Sequence, residues 1–175
     1  SQSIKNLIFQ SCDLGDHHNG GDGGDVDDGS SYNIEIIASA LPLMDLSSLS
    51  LVDVNFPTRE CLHYLLAHVE QAKELKLLDL SQNTLSADCI SLLSRSIRGQ
   101  NQVSRLILSD CSLDNACVKE LTVGLRDYDP LTSLDVSKNK QISDRGAGQI
   151  KELLEANSKI TKLHVNGCSF SEGSL

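Results

Sequence analysis

The sequence predicts an α/β solenoid: a short right-handed horseshoe of strand–turn–helix units, with parallel strands on the concave face and helices on the convex face. Three observations predict it. One apolar pattern recurs six times along the chain, and the residues after most copies carry a helical period. The apolar content is almost wholly aliphatic, with 28 Leu among 175 residues against three Tyr, three Phe and no Trp.

The recurring pattern is apolar-x-x-apolar-x-apolar-x-x-(Asn/Cys)-x-apolar. Its copies are Ile4-Leu7-Phe9-Cys12-Leu14, Leu46-Leu49-Leu51-Val54-Phe56, Leu75-Leu78-Leu80-Asn83-Leu85, Val103-Leu106-Leu108-Cys111-Leu113, Leu131-Leu134-Val136-Asn139-Ile142 and Ile160-Leu163-Val165-Cys168-Phe170. They start at 4, 46, 75, 103, 131 and 160, so the spacings are 42, 29, 28, 28 and 29. A near-constant period of this length marks a stacked repeat architecture.

Each copy opens with alternating apolar residues, which suit a strand with one buried face. A helix follows. Cys61, Cys89, Cys117 and Gly146 are equivalent, followed by Leu62, Ile90, Val118 and Ala147, then Leu65, Leu93, Leu121 and Ile150, then Val69, Ile97, Leu125 and Leu154. These offsets of i, i+1, i+4 and i+8 share one face of a 3.6-residue period. Thr58, Ser86, Asp114 and Ser143 stand where a helix needs an N-cap, and Gly99 and Asn157 where it ends. No unit can bury its own apolar stripe, so the units must stack. Strands stack at ~4.8 Å and helices need roughly 10 Å, and that mismatch bends the stack. The Asn/Cys slot can satisfy turn backbone that has left the ladder. Val54 cannot, which predicts the weakest ladder in the second unit.

With these residues in hand, the chain resembles leucine-rich-repeat proteins of the ribonuclease-inhibitor-like subfamily. Lys76-Leu77-Leu78-Asp79-Leu80-Ser81-Gln82-Asn83 and Thr132-Ser133-Leu134-Asp135-Val136-Ser137-Lys138-Asn139 carry the resemblance best. It implies 28–29-residue repeats with a full helix, one domain over residues 1–175 of about 5.5 repeats, and a protein-binding role. It also leaves an alternative: regulation of a small GTPase, as in the repeat protein that activates the GTPase Ran. The arginines give that alternative little footing, since Arg59, Arg95, Arg98, Arg126 and Arg145 fall in helical segments and Arg105 on a strand.

The first spacing is long because of an insertion at residues 15–30, which holds five Asp and no Lys or Arg. Gly20 to Asp25 fits the G-G-x-G-x-D turn of calcium-binding β-rolls, but no adjacent copy exists and Asp27 stands where the strand needs an apolar residue. The segment reads as a solvated loop, with weak divalent-ion binding and regulated docking as the alternatives. It also supplies five of the nine net negative charges. An acidic chain of calculated pI about 4.9 is a poor match for nucleic acid or an anionic membrane surface.

Six Cys occur without a C-x-x-C pair, and the helix cysteines fall one repeat apart, beyond disulfide reach. Reduced thiols point to the cytoplasm or nucleus. His63 and His68 point about 140° apart on one helix and make no metal pair. No phosphate loop, nucleophile elbow or zinc-protease motif is present. Asp79 and Asp135 lie two repeats apart, too wide for paired acid–base work. The expectation is a protein with no enzymatic activity, no cofactor and no metal.

A protein partner would meet the residues that alternate with the buried ones on each strand. The candidates are Asp53, Leu77, Asp79, Arg105, Ile107, Asp110, Asp135, Lys138, Lys162 and His164. Both ends leave terminal repeats uncapped, which predicts further repeats or another domain at either end and a segment of a longer protein.

Overall fold

The computed structural model describes residues 4–12, 32–54, 56, 59–100 and 102–174. The acidic insertion at 15–30 and the Thr58 cap position lie outside the described residues. Within them the order is β1 (Asn6–Gln10), α1 (Tyr32–Ala40), a 3₁₀ turn (Leu41–Leu43), β2 (Ser48–Val52), α2 (Arg59–Val69), β3 (Leu77–Asp79), α3 (Ala87–Gln100), β4 (Arg105–Ile107), α4 (Asn115–Leu125), β5 (Ser133–Asp135), α5 (Asp144–Ala156) and β6 (Lys162–His164). The strands form one parallel six-stranded sheet in sequence order.

Strand register equals repeat register. Leu49 pairs with Leu78, Leu78 with Leu106, Leu106 with Leu134, and Leu134 with Leu163. One sheet face turns these leucines into a cluster shared with Leu65, Leu93, Leu121 and Ile150 of the helices. The cluster is aliphatic because five helices and a narrow sheet leave room for layers of Leu, Ile and Val between them. The helices also stack on one another in chain order, α1 on α2 through α4 on α5.

The slot residues hold each unit to the one before it. Asn139 is fully buried; its Oδ1 accepts from the backbone N–H of Cys111 and Leu113, both at 2.9 Å, and its Nδ2 donates to Leu108 O at 2.9 Å and Val136 O at 2.8 Å. Asn83 repeats this two units earlier, accepting from Val54 N at 3.0 Å and donating to Leu51 O at 2.6 Å. Cysteine supplies a single weaker donor there: Cys111 Sγ to Leu80 O at 3.2 Å, Cys168 Sγ to Val136 O at 3.3 Å. Burial pushes the Cys111 thiol up to about 12, so it stays protonated as a donor.

Two sequence expectations need correction. The ladder is not weakest at the second unit, because β1 and β2 pair over five residues while later strand pairs extend over three. The slot residue serves the unit before its own, and Val54's own backbone N–H is met by Asn83. Helix α3 ends at Gln100, next to Gly99, where the sequence places the end. Ser143 stands at the N-cap of α5 without capping it; its hydroxyl accepts instead from Asn115 Nδ2 at 2.9 Å. Asp114 does cap, accepting from Cys117 N at 2.9 Å, and Ser86 accepts from Cys89 N at 3.4 Å. Gly146 takes the helix-cysteine slot because an added Cβ would come within 2.5 Å of Ile142 Cγ2. No helix among the described residues is long and apolar enough to cross a membrane.

Candidate functional site

The sheet face away from the helices carries the side chains that alternate with the buried leucines. Register sets them in rows. One row runs Ser48, Leu77, Arg105, Ser133, Lys162, and the next runs Ser50, Asp79, Ile107, Asp135, His164. Candidate residues distant in sequence thus become neighbours: Leu77 beside Arg105, and Asp79, Ile107, Asp135 and His164 in line. Arg105, Lys162 and His164 are exposed, while Leu77, Asp79, Ile107 and Asp135 are half-buried. Ser133 is buried in the first row, which interrupts it. On β1, Ile8 is 66% exposed on this face, an apolar contact that the candidate set left out.

The two aspartates are fixed by their own turns. Asp79 Oδ1 accepts from Ser81 N at 2.9 Å and from Ser81 Oγ at 2.6 Å. Asp135 Oδ1 accepts from Ser137 N at 2.9 Å and Ser137 Oγ at 2.6 Å. Each pair follows from Asp-x-Ser at a strand end, where the carboxylate takes a backbone N–H that has left the ladder. Charge-assisted bonds of this kind hold the carboxylates without spending rotamer freedom on binding. Both hold onto the turn with Oδ1.

At the strand ends a second row forms from backbone geometry. Ser11, Asp53, Gln82, Asp110, Lys138 and Gly167 all adopt positive φ, between 48° and 80°. In the left-handed region a non-glycine residue costs of order 1 kcal/mol. A ladder bond offsets this in each of five units: Ser11 N to Val52 O, Asp53 N to Ser81 O, Gln82 N to Ser109 O, Asp110 N to Ser137 O and Lys138 N to Asn166 O, at 2.6–3.0 Å. The αL turn throws Asp53, Asp110 and Lys138 outward beside the sheet, all three exposed. Asp53 also accepts from Ser11 Oγ at 2.8 Å.

All ten candidates therefore lie on the open face or its rim, acidic at Asp53, Asp79, Asp110 and Asp135 and basic at Arg105, Lys138 and Lys162. Of the helical arginines, Arg59 is tied to Asp88, and Arg98 Nη1 donates to Gly124 O at 2.9 Å. Among the described residues no group of three or more His, Cys, Asp or Glu is placed to hold a metal ion. Sequence reading missed one close pair, His63 Nε2 and Cys89 Sγ, 3.3 Å apart across α2 and α3. The available signal was the repeat itself: Cys89 is the equivalent of Cys61 on the next helix, so it stands against residues in the first turns of α2, His63 among them.

No protein-family model matches the sequence. The chain is 28% identical over 132 residues to the human (Homo sapiens) NACHT, LRR and PYD domains-containing protein 13, covering 74% of this chain and 13% of that protein. It therefore spans about 13% of the length of that curated relative. Among solved structures it superposes on Leiomodin-1 Actin-Binding Site 2 (ABS2) with a TM-score of 0.65 at 18% identity, covering 76% of each chain. The first likeness agrees with the leucine-rich repeat read from the sequence; the second is a likeness of fold.

Proposed function

We propose that this chain is a non-enzymatic recognition module, a leucine-rich-repeat horseshoe of the ribonuclease-inhibitor-like kind that takes a protein partner on its open, concave strand face. The observation that carries the reading is the in-register row of Asp79, Ile107 and Asp135, with both carboxylates already held by their serines. A pre-positioned acidic–apolar–acidic row suits a partner surface that offers a basic side chain on either side of an apolar one. Preorganisation of this kind lowers the ordering cost of association. The reduced thiols suit a cytoplasmic or nuclear setting.

Actin is the first partner to assay, because the structural neighbour's name is that of an actin-binding site. Capture of actin, and of partners cross-linked from cell extract, would be compared between the unaltered chain and two variants. Asp79→Asn with Asp135→Asn keeps the turn acceptors but removes both charges, and should weaken partner capture by about tenfold or more, as loss of central interface contacts does. Val123→Glu alters an exposed apolar residue of α4 and should leave capture unchanged. The reverse pattern, capture lost on α4 and kept on the strands, rejects the strand face.

A further inference from the structure

At the mouth between the second and third units, the C-terminal ends of β2 and β3 and the N-terminal ends of α2 and α3 enclose a groove of about 700 Å³. Asp53, Phe56, Arg59, Gln82, Ser86 and Cys89 are among its lining. Four features converge there on one sulfur. His63 Nε2 is 3.3 Å from Cys89 Sγ. Ser86 Oγ donates to Cys89 Sγ, also at 3.3 Å. Arg59 Nη2 donates to Ser86 Oγ at 2.9 Å and pairs with Asp88, and its guanidinium is kept charged first by Asp88 and in smaller part by Cys89 itself. Cys89 also lies in the first turn of the 14-residue α3, whose N–H groups favour negative charge.

The equivalent residue one unit on shares the helix first turn but lacks the imidazole, the hydroxyl donor and the guanidinium. Cys117 Sγ donates to Leu85 O at 3.7 Å, and burial pushes its thiol up to about 11. The two cysteines hold the same helix position and differ in their caps, Ser86 against Asp114, and in what the neighbouring helix brings: α2 sets His63 and Arg59 against Cys89. A cysteine beside an imidazole and a guanidinium at a helix N-terminus is the setting in which thiols react as nucleophiles.

We propose that Cys89 is a modification site for small electrophiles, with hydroperoxides as the chemical class it takes and His63 as the base that activates it. The Sγ–H proton passes to His63 Nε2. The thiolate electron pair attacks one peroxide oxygen, so an S–O bond forms and the O–O bond breaks. The departing hydroxide takes the proton back from His63 and leaves as water. Sulfur is oxidised to the sulfenic acid and the peroxide is reduced, with Ser86 and Arg59 stabilising the thiolate before attack. Cys89 is only 2% exposed, so the groove admits a molecule the size of hydrogen peroxide and keeps out a second protein thiol. This inference stands apart from the protein-binding reading and does not depend on it.

The test uses the 175-residue chain, treated briefly with hydrogen peroxide, quenched with catalase and then unfolded in urea containing dimedone, with the extent of trapping at each cysteine read by peptide mass spectrometry. Cys89 should be trapped about tenfold faster than Cys117 in the same molecule, a comparison that needs no variant. A bulky maleimide should lose that preference, because the groove limits access. His63→Gln should bring Cys89 down to the rate of Cys117. Equal trapping of Cys89 and Cys117 in the unaltered chain overturns the site. Fast trapping at Cys89 that survives His63→Gln overturns the role of the imidazole.

Discussion

The middle of the stack and its last strand share one sequence pattern and end in different environments. Leu106 on β4 has no exposure, and Leu108, Cys111 and Leu113 after it are equally enclosed. The equivalent residues of the last unit, Leu163, Val165, Cys168 and Phe170, are only partly buried. At the other end Leu7 and Phe9 of β1 are likewise partly buried, while Ile8 is 66% exposed. The pattern assigns a residue to a face of the sheet, but full burial needs a unit on both sides. In a solenoid, stability is accordingly a property of interfaces between neighbours more than of single repeats.

The largest break in that comparison should come from the core leucines. Leu106→Ala is expected to cost about 3 kcal/mol in urea unfolding, because it opens a cavity between two occupied neighbours. Leu163→Ala, half open already, should cost about 1 kcal/mol. Equal losses at the two positions would mean that burial by neighbours is not what separates middle from end.

The slot residues sharpen the same contrast. Asn139→Ala strands two buried backbone N–H groups and two carbonyls, a loss of about 3 kcal/mol. Cys168→Ala removes one thiol donor at the partly open end and should cost about 1 kcal/mol. Hydrogen exchange at Cys111 and Leu113 amides offers a second readout, since their protection should fall in Asn139→Ala alone.

The smallest effect is a pH response confined to the last turn. Asp144 accepts from Ser171 N at 2.6 Å, Ser171 Oγ at 2.7 Å and Ser174 Oγ at 2.6 Å, and these bonds, those from Ser171 foremost, hold its carboxyl down at about 2. A depressed folded value means the contribution is present above the ordinary carboxylate value near 3.8 and is lost as pH falls toward 2. The Ser171 amide resonance should therefore shift over that window while amides of the central strands stay in place. No movement of Ser171 between pH 4 and pH 2 would show that Asp144 does not hold the turn.

Much of this architecture was readable from the chain. Repeat starts at 46, 75, 103, 131 and 160 reproduced the register of five neighbouring strands, and the alternation of apolar residues named the open-face rows. Helix α1 was not readable, because Tyr32–Ala40 follows the insertion and has lost the spacing that dates the other helices. The clamp of Asp79 by Ser81 was also missed: Asp-x-Ser is present as letters, but only a strand end bending into a left-handed turn brings the hydroxyl onto the carboxylate.

Order and register follow from the sequence alone because they depend on periodicity, which is local and repeated. A residue's face is fixed by its place in a period of two or 3.6, whatever lies next door. What only the tertiary structure decided is which side chains from different repeats touch. Cys89 and Cys117 hold one position in one pattern, yet one sulfur faces an imidazole and the other a carbonyl. The period places both cysteines, but chemistry at a shared boundary depends on the non-repeating residues of two neighbours at once.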